Sequence, residues 1–341
     1  MERLVFFGKG GIGKSTTATN FSATLAMQGQ RVLHVGCDPK HDSTVALLGG
    51  RMIEAVTDQP LREDATADDV VVRSPLGVDC VEAGGPAAGV GCGGRAISRM
   101  LEVFRIANLL DEGRYDTVLF DVLGDVVCGG FAAPLKKDVG HKVVIVASEE
   151  VMSLYAANNI ARAVVNYGSN GIVLAGIIIN LRDNDVDRAP MERFARLLST
   201  RIIGWIPRDA TIREAEYRRI TAVEMAPASP IARTFRELAA TVLSIDSATL
   251  QPPTPIDEVS FYEYTRNRFA EPALIEARRT AEPVRVPAPE VVEASDDYRY
   301  ELAAGLRAVR EGLLPAREAL ERLQAAFPAR ARELRVGDLL A

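Results

Sequence analysis

Residues 8–16 read Gly8-Lys9-Gly10-Gly11-Ile12-Gly13-Lys14-Ser15-Thr16, and this stretch decides the fold. It has the form Gly-x4-Gly-Lys-Ser. An apolar run at 4–7 precedes it and a helical pattern at 14–28 follows. Strand, glycine-rich turn and helix in that order suit a phosphate-binding loop. Glycines let consecutive backbone N–H groups turn inward around phosphate oxygens, Lys14 reaches the outer phosphates, and the Ser15 hydroxyl holds Mg²⁺. The helix adds its positive N-terminal end. A chance glycine-rich turn would lack this strand and helix.

Outward from the loop, short apolar runs alternate with helical patterns. Strands are expected at 4–7, 31–36, 78–81, 117–120, 143–147, 172–180 and 202–206. Most are near-continuous Val, Ile, Leu and Phe, as in strands covered on both faces. Helices are expected at 14–28, 94–110, 151–167, 188–198 and 231–242. The alternation implies an α/β fold of the P-loop NTPase type, with a doubly wound, mostly parallel sheet and ligands at the carboxyl ends of its strands. This domain is expected over 1–272, followed by a Pro-rich linker over 273–296 and a C-terminal helical extension over 297–341. In the extension Leu302, Leu306, Val309 and Leu313 share one helical face. Gly312 and Pro315 interrupt, and Ala316, Leu320, Leu323 and Phe327 repeat the stripe as a second arm of a hairpin. A packed accessory element and a partner-docking element are both open for it.

The chain has 341 residues, enough for a substantial core. Its net charge of −6 does not favour nucleic acid or an anionic membrane as partner. The first strand begins close to Met1, and the longest apolar run, 172–179, is too short to span a bilayer. A cytoplasmic protein is expected.

A second nucleotide signal is Tyr115-Asp116-Thr117-Val118-Leu119-Phe120-Asp121, an apolar strand ending in a carboxylate. Beside a phosphate loop such an aspartate lies near the Mg²⁺ of the nucleotide. The run Cys37-Asp38-Pro39-Lys40-His41-Asp42-Ser43-Thr44 follows the second strand. Asp38 and Asp42 are candidates to hold Mg²⁺ or orient attacking water. A polar turn with helix capping is the alternative.

The four cysteines are Cys37, Cys80, Cys92 and Cys128, with no Cys-x-x-Cys pair. Cys92 and Cys128 lie in glycine-rich loops, where close backbone approach and free N–H groups suit a cluster sulfur. A [4Fe–4S] cubane needs four thiolates. One chain offers two well placed, and a two-fold dimer would supply the others with the cluster on its axis. An inert small hydrophobe is the alternative for any lone cysteine. That suits Cys80, inside a strand, and Cys37 less well, since it adjoins the turn after the second strand.

Residues 8–16, 37–44, Glu82-Ala83-Gly84-Gly85-Pro86, 91–95 and 121–131 closely resemble the nitrogenase iron protein superfamily. That superfamily includes the iron-protein-like subunits of dark-operative protochlorophyllide and chlorophyllide reductases. The resemblance runs from residue 1 to about 272. It implies a homodimer with one bridging [4Fe–4S] cluster and two sites for ATP and Mg²⁺. It also implies electron transfer from ferredoxin or flavodoxin to a nitrogenase-like heteromeric catalytic component. Cys92 and Cys128 correspond to the cluster ligands. Lys9 corresponds to a lysine that reaches across the dimer to the other subunit's nucleotide. Asp38, Lys40 and Asp42 match the first switch. Asp121-Val122-Leu123-Gly124-Asp125 matches the second, which leads into Cys128. Hydrolysis that alters the contacts of Asp121 and Asp125 would thus act a few residues from a cluster ligand. Asn180, Pro207, Arg208, Asp209 and Glu216 match adenine-side positions.

The resemblance is a mosaic. His41 and 82–89 look like the protochlorophyllide reductase subunit. Arg95 and 152–159 look like the nitrogenase iron protein, and the tail beyond about 273 matches neither. The mixture suggests a nitrogenase-like reductase of another branch, for example one reducing methylthio-alkanes, with nitrogenase or a protochlorophyllide or chlorophyllide reductase as alternatives. Arg95 matches a regulatory ADP-ribosylation arginine, and a cationic docking residue is the other reading. Two further classes share the loop: partitioning ATPases, which bind DNA or membrane, and cluster carriers. The charge of −6 and the pair Cys92 and Cys128 argue against the first.

Overall fold

Near-continuous apolar runs become strands because both faces of one sheet are buried. The computed structural model describes residues 1–59, 64–85, 93–124 (93–95 by backbone only), 133–136, 139–266, 317, 320, 321 and 324. In chain order the elements are β1 (Glu2–Phe7), α1 (Lys14–Met27), β2 (Val32–Cys37), α2 (Ala67–Val70), β3 (Val72–Arg73), β4 (Asp79–Glu82), α3 (Gly93–Ile106), β5 (Thr117–Val122), β6 (Lys142–Ala147), α4 (Val151–Asn166), β7 (Val173–Asn180), α5 (Ala189–Leu197), β8 (Ile202–Ile206), α6 (Ala210–Arg218), α7 (Ala222–Met225), α8 (Pro230–Ser244) and α9 (Glu258–Arg266). The sheet order is β3-β4-β2-β5-β1-β6-β7-β8. Every pairing is parallel except β3 with β4 at the edge.

Alternate residues of β2 separate the two cores. Leu33, Val35 and Cys37 join the cluster that includes Met100, Leu154 and Phe194 of α3, α4 and α5. Val32 joins the one that includes Phe21 and Phe235 of α1 and α8. Helix α1 is buried over most of its length, including Thr17, Asn20 and Ser22, so it lacks a polar face. The chain divides into a compact unit Met1–Glu282 and a second unit Pro283–Ala341. The linker expected at 273–296 lies outside the described residues, as does most of the hairpin expected at 297–341. There, residues 317, 320, 321 and 324 are helical.

Expected and observed strands agree within two residues at each end. The edge strand β3 and helices α2, α6, α7 and α9 go beyond the expectation. Helix α6 starts where Asp209 accepts from the Thr211 amide at 2.6 Å, and α7 where Thr221 accepts from the Glu224 amide at 3.3 Å. Helix α9 closes a strap across α4. Buried Asn158 donates to the Ile256 carbonyl and accepts from its amide, both at 2.7 Å. Phe261 meets Tyr155 and Phe194 edge to face.

Candidate active site

The turn from β1 to α1 has the shape its glycines require. Gly11 and Gly13 have φ of +75° and +88°, where L side chains are strained. A Cβ on Gly13 would also strike the Asn180 amide, which donates to the Ile12 carbonyl at 2.7 Å. Asn180, at the end of β7, thereby pins the loop from behind.

Four strands align at the rim of the sheet above α1. Register pairs Phe6 with Asp121, Asp121 with Gly36, and Gly36 with Glu82. Two buried carboxylates thus flank a glycine at one level. The Lys14 ammonium donates to Asp121 Oδ1 and, at 3.3 Å, to the Ser15 hydroxyl. The Ser43 hydroxyl donates to Asp121 Oδ2 at 2.6 Å. Burial opposes ionisation of Asp121, but the charge of Lys14, the neighbouring His34 and the hydrogen bond from Lys14 hold its carboxyl below the ordinary range.

Glu82 holds the next residue of the same turn. Its Oε1 accepts from the Thr44 amide at 2.7 Å and the Thr44 hydroxyl at 2.8 Å. Its Oε2 is buried without a hydrogen-bond partner. Burial pushes the Glu82 pKa up to about 8, Thr44 opposes the rise, and the charges of Asp121 and Asp42 add to it. His34, one step back on the same face, joins Ser22 through Nδ1 and Ser43 through Nε2, each at 2.9 Å. Burial lowers its pKa to about 4, so the ring is neutral near pH 7.

In front of these anchors the turn is open. Asp38 accepts from the Lys40 amide at 2.9 Å, and His41 has φ of +55°. Asp38 therefore folds a polar turn, and no helix starts there. A cavity of about 810 Å³ brings together Lys9, Gly10, Gly11, Gly13, Lys14, Ser15 and Thr16 with Asp38, Lys40, Asp42 and Ser43. Asn180, Pro207, Arg208, Asp209 and Glu216 complete its far wall. Thr16 donates to Glu216 at 3.0 Å, and the Arg208 backbone is held by the Asn184 side chain at 2.8 and 3.0 Å. Gly8 lies behind the cavity against the Val146 carbonyl, and Ile12 is buried. Asp121 sits beneath, reached through Lys14.

Cys92, Asp125 and Cys128 lie outside the described residues. In sequence, Cys92 immediately precedes α3, and Cys128 follows the end of β5 by six residues. Cys37 and Cys80 are core residues on β2 and β4, with thiols pushed up chiefly by burial. Among the described residues no group of three or more His, Cys, Asp or Glu side chains could hold a metal ion. Sequence reasoning missed His34 and the anchoring role of Glu82. It also missed Arg182, which donates to the Gly11 carbonyl. The position of Arg182, just beyond β7 at the ligand-binding end of a parallel sheet, was the available signal.

A mostly parallel sheet with a phosphate loop after its first strand, and an aspartate on the neighbouring strand paired with the loop lysine, defines an α/β protein of the P-loop NTPase class. Solved structures share the fold. The septum site-determining protein MinD complexed with Mg-ADP from Pyrococcus horikoshii is 25% identical, with a TM-score of 0.57, over 72% of this chain and 97% of that one. A ParA family ATPase from Chlorobium tepidum is 19% identical with a TM-score of 0.54, over 70% of this chain and 98% of that one. The family model described as "4Fe-4S iron sulfur cluster binding proteins, NifH/frxC family" matches residues 2–268, and the chain belongs to that family. A nitrogenase iron protein of Methanospirillum hungatei is 41% identical over 265 residues, 76% of this chain and 94% of that protein. Among the described residues no helix is long and apolar enough to cross a membrane.

Proposed function

We propose that this chain is the ATP-dependent reductase component of a nitrogenase-like system. Two copies share one [4Fe–4S] cluster, hydrolyse MgATP and pass low-potential electrons singly to a heteromeric catalytic partner. The observation that carries this is the junction at Asp121. One carboxylate ties the phosphate-loop lysine to the turn holding Asp38, Lys40 and Asp42, four residues before Asp125 and seven before Cys128. A change at the phosphates therefore has a short covalent route toward a cysteine.

Each residue has a part. The loop 8–16 and Lys14 bind phosphate, and Ser15 offers its hydroxyl to Mg²⁺. Lys9, which lines the cavity, is the candidate to serve the second copy's nucleotide. Asp38, Asp42 and Asp125 are candidates to orient water, with Lys40 beside them. Asn180, Pro207, Arg208, Asp209 and Glu216 form the wall for the base. The donor chemistry fits a cluster. Cys37 and Cys80 are sealed in the core as thiols, which leaves Cys92 and Cys128 as the thiolates each copy can offer. When bound, the cluster supplies one-electron chemistry at low potential. The mosaic of sequence features favours a partner other than nitrogenase itself, of the methylthio-alkane reductase type. Ferredoxin or flavodoxin is the proposed donor, and the cytoplasm the proposed compartment.

The test is iron content and absorbance of protein purified without oxygen. Cys92→Ser and Cys128→Ser should each lose the brown chromophore, while Cys80→Ser keeps it. Full iron retention in both of the first two variants would overturn the ligand assignment. Large subunits that co-purify under anoxia would identify the partner.

A further inference from the structure

We infer that His34 is a positioning residue for nucleotide hydrolysis. Its imidazole holds Ser43 against Asp121, so that the turn carrying Asp38, Lys40 and Asp42 and the strand end carrying Asp121 move as one unit. This rests on the reading that the site hydrolyses MgATP.

The argument is one of proton direction. Asp121 is ionised and can only accept. The single Ser43 hydroxyl proton is committed to Asp121 Oδ2, at 2.6 Å. At 2.9 Å from His34 Nε2 the Ser43 oxygen must then accept, so Nε2 carries the ring proton. A neutral ring with Nε2–H has a bare Nδ1, which accepts from the Ser22 hydroxyl at 2.9 Å. The chain therefore runs one way, from Ser22 through His34 and Ser43 to Asp121. None of these four residues is more than 1% exposed.

An apolar residue would pack this position at lower cost, because burying a polar ring carries a desolvation penalty. Its cross-strand neighbours, Leu119 and Cys80, are both apolar. What the imidazole adds is a fixed donor for Ser43. The next residue, Thr44, is tied separately to Glu82. Ser43 and Thr44 are thus two adjacent buried anchors, while Lys40 and Asp42 ahead of them are exposed. The turn has a fulcrum at Ser43, and His34 holds it from beneath. Without the ring, the Ser43 hydroxyl is free to rotate off Asp121, which then keeps only its contacts with the phosphate loop, Lys14 and Ser15.

The experiment measures MgATP hydrolysis by the full chain, purified without oxygen. His34→Leu should lower kcat about tenfold and leave KM for MgATP within about twofold, since the binding loop is untouched. His34→Gln keeps one donor and one acceptor and should recover most of the rate. ¹⁵N NMR of the histidines, with His34 assigned through His34→Gln, should show the Nε2–H tautomer, unchanged from about pH 6 to about pH 8. Ser22→Ala should keep the Nε2–H tautomer without touching the cavity, because Ser43 and Asp121 fix the ring proton, and with the NMR it decides the matter if His34→Leu does not fold. Wild-type kcat in His34→Leu, equal loss in His34→Gln, or an Nδ1–H tautomer would each overturn the inference. A wild type that hydrolyses no ATP would instead bring down the functional reading beneath it.

Discussion

Glu82→Gln should make the protein progressively more stable than wild type as pH rises. Glu82 is fully buried, and its Oε2 points at Gly36, where a Cβ would collide with it. Its pKa is raised by burial from the ordinary 4.5 to about 8. Below pH 4.5 the folded and unfolded chains both hold the proton, and the group adds no pH dependence. Above it the unfolded chain gives up a proton that the folded one keeps, so each pH unit lowers unfolding free energy by about 1.4 kcal/mol. The loss levels off once the pH passes about 8. Glutamine keeps the Oε1 acceptor for Thr44 and does not titrate, so the variant lacks this slope. Between pH 5.5 and 8.5 the gap between the two proteins should widen by about 3 kcal/mol, or about 6 °C in Tm at this chain length. Circular dichroism melts under anoxia, at fixed ionic strength across that range, read the difference directly. Parallel profiles for the two proteins would refute the reasoning, because they would mean that Glu82 is ionised in the folded state throughout.

Gly13→Ala puts a methyl into the Asn180 amide at a φ of +88°. Calorimetry should show MgATP binding weakened more than about tenfold, with the far-ultraviolet spectrum retained; undiminished affinity would mean the loop tolerates the methyl. Asn158→Leu removes both hydrogen bonds to Ile256 and leaves its amide buried without a partner. It should cost about 2–3 kcal/mol, about 5 °C in Tm, and open the strap near Ile256 to protease first. A variant that melts and is cleaved like wild type would show that the strap is held without Asn158, by Arg162 and the aromatic rings.

Much of the scaffold was readable because burial on both faces leaves a local mark. β1, β5, β6 and β7 carry near-continuous apolar runs, and their limits fall within two residues of the expectation. Elements no longer than about one periodic repeat left no such mark: β3 has two residues and α2 four. Helices α6 and α7 carried cap residues, Asp209 and Thr221. Their few buried positions gave too faint a stripe to read. The phosphate loop was legible for the opposite reason, since its glycines, Lys14 and Ser15 are contiguous and each answers a backbone or phosphate requirement within the same turn.

Sequence alone determined the class of fold, the phosphate loop, the turn at Asp38–Asp42 and the strand end at Asp121, because each of these is written within a dozen consecutive residues. Only tertiary structure decided that Asp121, Gly36 and Glu82 lie abreast, and that His34 reaches both Ser22 and Ser43. Those residues come from three strands, a helix and a turn, up to a hundred positions apart in sequence. A polar residue inside an apolar run looks like an exception to the pattern. Strand register is what turns it into a partner, because register alone sets which side chains share a level on one face of the sheet.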